Sequence, residues 1–225
     1  DNIISQVLEA TLAVRDGKAA FERDSVLFYE NEDRFQLLAA LMQSAAVNNG
    51  CLRVLDFGGS LGSVYFQCKH WFTGLTSVSW CVVEQKNFVE VGNSQIADGK
   101  LIFAKSIEDA AKIENFDIVV FSSVLQYLKD FSSIIEQAIA LKPKYIFVDR
   151  QPIIEGDKDI ICLQKQSGRI INSSYPLRLL TKKSLFAAIG SSYRLLSEFD
   201  ALDEPMGGVK RRVDYKGFLF ERIGE

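Results

Sequence analysis

The chain has 225 residues, a formal charge of −3, 48% hydrophobic residues and 24% charged residues. That composition supports one domain with a sizeable core and excludes a disordered polyelectrolyte. The slight acidity gives no general attraction to nucleic acid or an anionic membrane, and no apolar run reaches the ~20 residues of a membrane-spanning helix. His70 is the single histidine, and Cys51, Cys68, Cys81 and Cys162 show no C-x-x-C spacing. No metal site is therefore expected. Free, mostly buried thiols in a reduced, cytoplasmic setting are the simplest reading.

In chain order, Ser5 to Ala20 carries Val7, Leu8, Leu12 and Val14 on an incomplete apolar stripe and is predicted helical. Phe21 to Phe28 mixes charges and aromatics without a period, as expected of a cap or lid. Phe35 to Val47 is a strong helix stopped by Asn48-Asn49-Gly50. Leu52 to Phe57 suits a buried strand. After Gly62 the pattern alternates: helix 63–72, strand 78–84, short helix 88–95, strand 101–104, turn and helix 106–113, strand 116–122, helix 130–141, strand 145–149. Ile160 to Gln166 and Arg169 to Asn172 then flank Ser167-Gly168 as a hairpin, part of an insertion near 158–176. Thr181 caps a helix that runs to Ile189 and stops at Gly190. Tyr193 to Phe199 and Tyr215 to Arg222 end the chain as an antiparallel edge. Their linker holds Pro205, Gly207, Gly208 and the Lys210-Arg211-Arg212 cluster, read as a solvated loop.

This alternation predicts an α/β fold with a doubly wound, mostly parallel seven-stranded sheet. Residues 1–50 are expected to form a helical cap of the same domain as 51–225. Such sheets bind ligands at the carboxyl ends of their strands. The polar residues fall there: Asp56 with Gly58-Gly59-Ser60, Glu84-Gln85, Lys105-Ser106-Ile107, Ser122-Ser123 and Asp149-Arg150.

The turn after Phe57 separates the cofactor classes. Glycines allow a sharp turn that brings backbone close to a ligand. Asp56 there attracts a cation rather than a phosphate, which points to S-adenosylmethionine (SAM), with its sulfonium, α-ammonium and ribose. Glu84 follows Gly62 at about the 20-residue distance of a ribose-binding acid. A G-x-G-x-x-G register from Gly58 needs glycine where Ser60 and Ser63 stand, so the NAD fingerprint fails.

Residues 21–28 (FERDSVLF), 55–63 (LDFGGSLGS), 65–67 (YFQ), 80–85 (WCVVEQ), 122–128 (SSVLQYL), Asp149-Arg150 and 174–176 (SYP) carry a resemblance over nearly the whole chain. It resembles the class I SAM-dependent methyltransferases, which have a Rossmann-like fold. More narrowly, it resembles a bacterial family associated with surface-polysaccharide gene clusters. Ser60 departs from the class pattern D-x-G-x-G-x-G at the second glycine. The resemblance implies that Asp56, Gly58 and Gly59 cradle the methionine part, with Ser60 within reach of its carboxylate. It gives Glu84 the ribose hydroxyls and sets Gln85, Ser106 and Ile107 around the adenine. Ser122 and Gln126 border the methyl path, and S-adenosylhomocysteine (SAH) is the product.

For the acceptor, Tyr127, Asp149 and Tyr175 are candidates for orientation or proton removal, with His70 a weaker one. Arg150 suits an anionic acceptor or an ion pair with a nearby carboxylate. Arg23 and Asp24 suit a closing cap or a structural salt bridge. The position after strand four reads Ser122-Ser123-Val124-Leu125. It lacks the Asn/Asp-Pro-Pro-aromatic motif usual in enzymes that methylate nucleic-acid amines. The expected reaction is oxygen methylation of a small-molecule or glycan-linked acceptor, a sugar or an anionic sugar substituent, by a monomer or homodimer. The alternatives are a non-catalytic SAM-fold binding protein and, less favoured, an NAD-binding oxidoreductase.

Overall fold

The computed structural model describes residues 2–167, 172–203 and 211–224. The elements begin with α1 (Asn2–Arg15), β1 (Phe21–Arg23), β2 (Val26–Phe28), α2 (Phe35–Ala46), β3 (Cys51–Phe57), α3 (Ser63–Cys68), β4 (Ser77–Val83), α4 (Lys86–Val91) and β5 (Leu101–Ala104). They continue with α5 (Ile107–Ala111), β6 (Ile118–Ser122), α6 (Phe131–Ala140), β7 (Tyr145–Ile154), β8 (Ile160–Ser167), β9 (Asn172–Leu179), α7 (Lys182–Ile189), β10 (Tyr193–Asp200) and β11 (Val213–Arg222). Seven strands form one mixed sheet in the order β10-β11-β7-β6-β3-β4-β5, with β3, β4 and β5 parallel and β10-β11 an antiparallel edge. This is the doubly wound α/β sheet that the alternation predicts. The chain divides into two compact parts, residues 1–120 with 143–145 and residues 121–142 with 146–225.

In the first part the strands are apolar because both faces are covered. Leu52, Val54 and Leu55 of β3, Trp80, Cys81 and Val82 of β4, and Leu101 of β5 are fully buried. Asp117, just before β6, accepts from Asn48 Nδ2 at 2.9 Å, from the Arg53 backbone N–H at 3.1 Å, and from Arg53 Nε at 3.0 Å and Nη2 at 2.6 Å. Four donors on one carboxylate join the end of α2 to the start of β3.

Residues 21–28, in which the sequence shows no period, form an antiparallel hairpin. Its arms are too short for alternation to show. Its turn, Asp24-Ser25, has φ values of 52° and 66°, the signs a type I′ turn requires. The helix expected over 63–72 ends at Cys68 and tightens into a 3-10 turn, Lys69–Phe72. The helix expected over 88–95 starts at Lys86 and widens into a π turn, Gly92–Ile96. Glycine is required at 92 because a Cβ there would lie 2.7 Å from the Phe103 ring.

In the second part β7 runs past Asp149 to Ile154. The extension is held by a bridge between Ile153 and Leu180 and by the Ile154 N–H on the Leu180 carbonyl at 2.9 Å. The hairpin following it is β8-β9. Gly168 of its expected turn, residues 169–171 of its expected second arm, and Pro205, Gly207, Gly208 and Lys210 lie outside the described residues, while Ser167 and Asn172 pair as the last rung of the ladder. Thr181 caps α7 as expected, its Oγ1 accepting from the Ser184 N–H at 3.1 Å, and Gly190 (φ 72°) stops it. Among the described residues no helix is long and apolar enough to cross a membrane.

Asp117→Ala leaves part-buried donors of Asn48 and Arg53 without their acceptor. We expect a loss of about 1–3 kcal/mol, which lowers the melting midpoint by roughly 2–12 °C in a calorimetric scan.

Candidate functional site

The first part builds a site at the carboxyl end of β3. Gly58 (φ 75°), Ser60 (φ 56°) and Gly62 (φ 91°) take left-handed backbone there, and the Gly58 N–H donates to the Val83 carbonyl at 2.9 Å. The turn thus folds against the end of β4. A Cβ on Gly59 would lie 2.4 Å from Asp56 Oδ2, so the turn packs directly on that carboxylate.

Asp56 is 1% exposed. Trp80 Nε1 donates to its Oδ2 at 3.1 Å, while the buried Oδ1 has no hydrogen-bond partner. Burial pushes its pKa from an ordinary 3.8 up to about 7. The Trp80 hydrogen bond and the Arg34 charge oppose the rise, and Glu84 adds to it. Glu84 is half-buried, which raises its pKa, while backbone N–H groups of Gln85 (2.7 Å) and Ser60 hold its carboxylate. The structure therefore brings Asp56, Gly58, Gly59, Ser60, Glu84 and Gln85 together. Chemically, it offers a buried carboxyl group with one oxygen lacking a hydrogen-bond partner and a second carboxylate held by two backbone N–H groups.

Ser106 and Ile107 follow β5, whose Ala104 carbonyl accepts the Glu84 N–H at 3.1 Å. The Ser106 hydroxyl caps α5 by accepting from the Asp109 N–H at 3.0 Å, and Ile107 is buried. His70 is exposed, with Nε2 lying 3.4 Å from Asp33. Arg23 bonds Glu32 at 2.5 Å and lies over the Phe21 and Phe28 rings, so it braces the hairpin.

Three residues of this neighbourhood escape sequence reading. Trp80 carries the one usable signal, since a buried indole N–H needs an acceptor. Arg34 is buried at the start of α2, and its charge reaches Asp56. Its loop is fixed by Gln67 Nε2 on the Glu32 carbonyl (2.7 Å) and Trp71 Nε1 on Asp33 (2.9 Å). Glu22, a buried carboxyl whose pKa is raised by burial, accepts from the Ser63 hydroxyl and the Ser25 N–H.

The second part holds the remaining candidates. The Ser123 N–H donates to the Asp149 carbonyl at 2.9 Å, next to half-buried Ser122. Gln126 is 2% exposed; its Nε2 donates to Ser123 Oγ at 3.0 Å, and its Oε1 has no partner. Asp149 is buried, and its Oδ1 accepts the Arg150 N–H at 2.8 Å. Arg150 is gripped by Asp203 through Nε–Oδ2 and Nη2–Oδ1 contacts of 2.8 Å each. Tyr127 donates to Gln164 Oε1 at 3.3 Å and meets the Tyr175 ring edge-on, with centroids 5.4 Å apart. Sequence reading does not find Asp203 or Gln164, which pair with these residues only through the fold.

No protein family and no curated protein matches the chain. Solved structures do. The N-terminal domain of EvdMO1, crystallised in the presence of SAH and D-fucose, superposes with a TM-score of 0.52 at 16% identity, over 95% of this chain and 97% of that one. A SAM-dependent methyltransferase from Clostridium acetobutylicum gives 0.54 at 10% identity, over 86% and 94% of the two chains. The glycopeptide N-methyltransferase MtfA, complexed with SAM, gives 0.53 at 11%, over 80% and 93%. At these identities the likeness is one of fold: the Rossmann-like sheet of methyltransferases.

The raised Asp56 pKa makes stability depend on pH. The native state keeps the Asp56 proton up to about pH 7, whereas the unfolded chain releases it near 3.8. The group's stabilisation is therefore complete below pH 3.8 and is lost as pH rises through 7. Asp56→Asn removes this dependence. In urea titrations the variant should match wild type near pH 4 and exceed it by up to ~4 kcal/mol at pH 8.

Proposed function

We propose that the chain is a SAM-dependent methyltransferase that methylates an oxygen of a small-molecule or glycan-linked acceptor. The single observation behind this is Asp56: a buried carboxylate with one oxygen held by Trp80 and the other without a partner, in the crook of a glycine turn. The cofactor fits these residues. An α-ammonium or sulfonium beside Asp56 Oδ1 satisfies the orphaned oxygen, and Glu84, pinned by two N–H groups, suits the ribose diol. Gly58, Gly59 and Ser60 would hold the methionine part, with Gln85, Ser106 and Ile107 at the adenine. When bound, SAM would supply an electrophilic methyl group to the acceptor oxygen, its sulfur leaving as SAH. The neighbours crystallised with SAM or SAH support the cofactor, and the one crystallised with D-fucose supports a sugar acceptor.

The protein's task is to align and to take a proton. We assign Tyr127 and Tyr175 to acceptor orientation and buried Asp149 to the proton of an acceptor hydroxyl. The sequence resemblance gives Ser122 and Gln126 a role beside the transferred methyl, and Arg150 would set the charge preference of the acceptor region. A place in surface-polysaccharide biosynthesis rests on the sequence resemblance.

Isothermal titration with SAH tests the cofactor. Wild type should bind, more tightly at pH 8 than at pH 6 because the ligand ammonium selects ionised Asp56. Asp56→Ala should weaken binding at least ~30-fold, about 2 kcal/mol. Tight NADH binding without SAH binding overturns the proposal.

A further inference from the structure

We infer that the acceptor group this protein recognises is an uncharged sugar ring, held by the Tyr127–Tyr175 pair and the Gln164 amide, with Asp203 cancelling the charge of Arg150. This rests on the methyltransferase reading and narrows its substrate class. All five residues lie in the second compact part.

Gln164 and Tyr175 face each other across the β8-β9 ladder. On the same face, Leu177 and Leu179 join Ile154 and Val213 in an apolar cluster on which Cys162 packs. Because side chains alternate, this hairpin face changes from aliphatic to amide and phenol as it leaves the cluster. Tyr127 completes the rim, its hydroxyl on Gln164 and its ring 76° to that of Tyr175. Two crossed rings offer faces to sugar C–H groups, and an amide offers a donor and an acceptor in one plane to sugar hydroxyls.

Charge decides between a neutral and an anionic ring. The Arg150 fork is the group that would grip a carboxylate or phosphate, yet Asp203 already occupies that geometry with side chains 21% and 19% exposed. The Ser123 N–H on the Asp149 carbonyl, at 2.9 Å, ties the strand that carries Arg150 to the segment that carries Tyr127. An anionic ring would have to displace Asp203 and leave its carboxylate uncompensated, which is strongly unfavourable for a partly buried pair. A neutral ring leaves the Arg150–Asp203 pair intact.

The test titrates the whole chain, saturated with SAH, with methyl glucoside and methyl glucuronide, read by saturation-transfer NMR. Wild type should bind the glucoside at least about tenfold more tightly than the glucuronide. Tyr175→Ala should weaken glucoside binding by about tenfold or more, leaving SAH affinity within about twofold. Asp203→Asn, which frees Arg150, should tighten glucuronide binding by about tenfold. Should that variant not fold, the wild-type preference and Tyr175→Ala decide alone. Equal or tighter glucuronide binding in wild type, no binding of either glycoside, or an unaffected Tyr175→Ala overturns the inference. Calorimetric SAH binding, measured without glycoside, reports separately on the cofactor reading.

Discussion

The arrangement at the end of β3 depends on the burial of one carboxylate. An ionised Asp56 with 1% exposure is expensive, several kcal/mol for an uncompensated ion. The fold offsets part of this with the Trp80 N–H and the Arg34 charge, and in the free protein a proton offsets the rest up to about pH 7. The shape of the turn follows from the same constraint. Gly59 has no side chain because the carboxylate occupies that space. Arg34 is within range because Gln67 and Trp71 fasten residues 32 and 33 to the helical segment that leaves the turn. Through Arg34, the segment before β3 thereby contributes to the electrostatics around Asp56.

The second part treats charge in the opposite way. Among its candidate acceptor residues the cation is paired, Arg150 on Asp203 with two 2.8 Å contacts, and the others are the aromatic pair Tyr127–Tyr175 and the Gln164 amide. Arg150 also carries a φ of 54°, and the neighbouring Asp149 Oδ1 accepts its N–H. A non-glycine residue held in that backbone region marks a place where side-chain direction has been favoured over backbone ease.

What the sequence made legible is what local chemistry encodes. The glycine turn, the acids at the strand ends, and the helix bounded by Thr181 and Gly190 announce themselves through backbone freedom and caps within a few residues. The first hairpin does not, because its three-residue arms show no period and its left-handed turn residues are Asp24 and Ser25 rather than Asn-Gly. The extension of β7 beyond Asp149 depends on Leu180, which only the fold brings alongside. The same holds for the site. Asp56 and Glu84 stand out by position, whereas Arg34, Gln164 and Asp203 acquire meaning only from partners far along the chain. Arg150 shows the limit most clearly: its type allows an anionic acceptor or an ion pair, and only the fold shows Asp203 as its partner.

Ser60 can be weighed in the same terms. The class pattern has glycine there, and the structure shows what that position requires: a left-handed backbone whose N–H reaches the Glu84 carboxylate. A non-glycine residue in that region costs about 1–2 kcal/mol. A hydrogen bond to a charged acceptor returns about 1.5–3 kcal/mol. The two magnitudes overlap, so the serine is tolerated without losing the contact that fixes Glu84. The departure therefore changes a side chain while preserving the backbone donor, one of the two N–H groups that hold the Glu84 carboxylate.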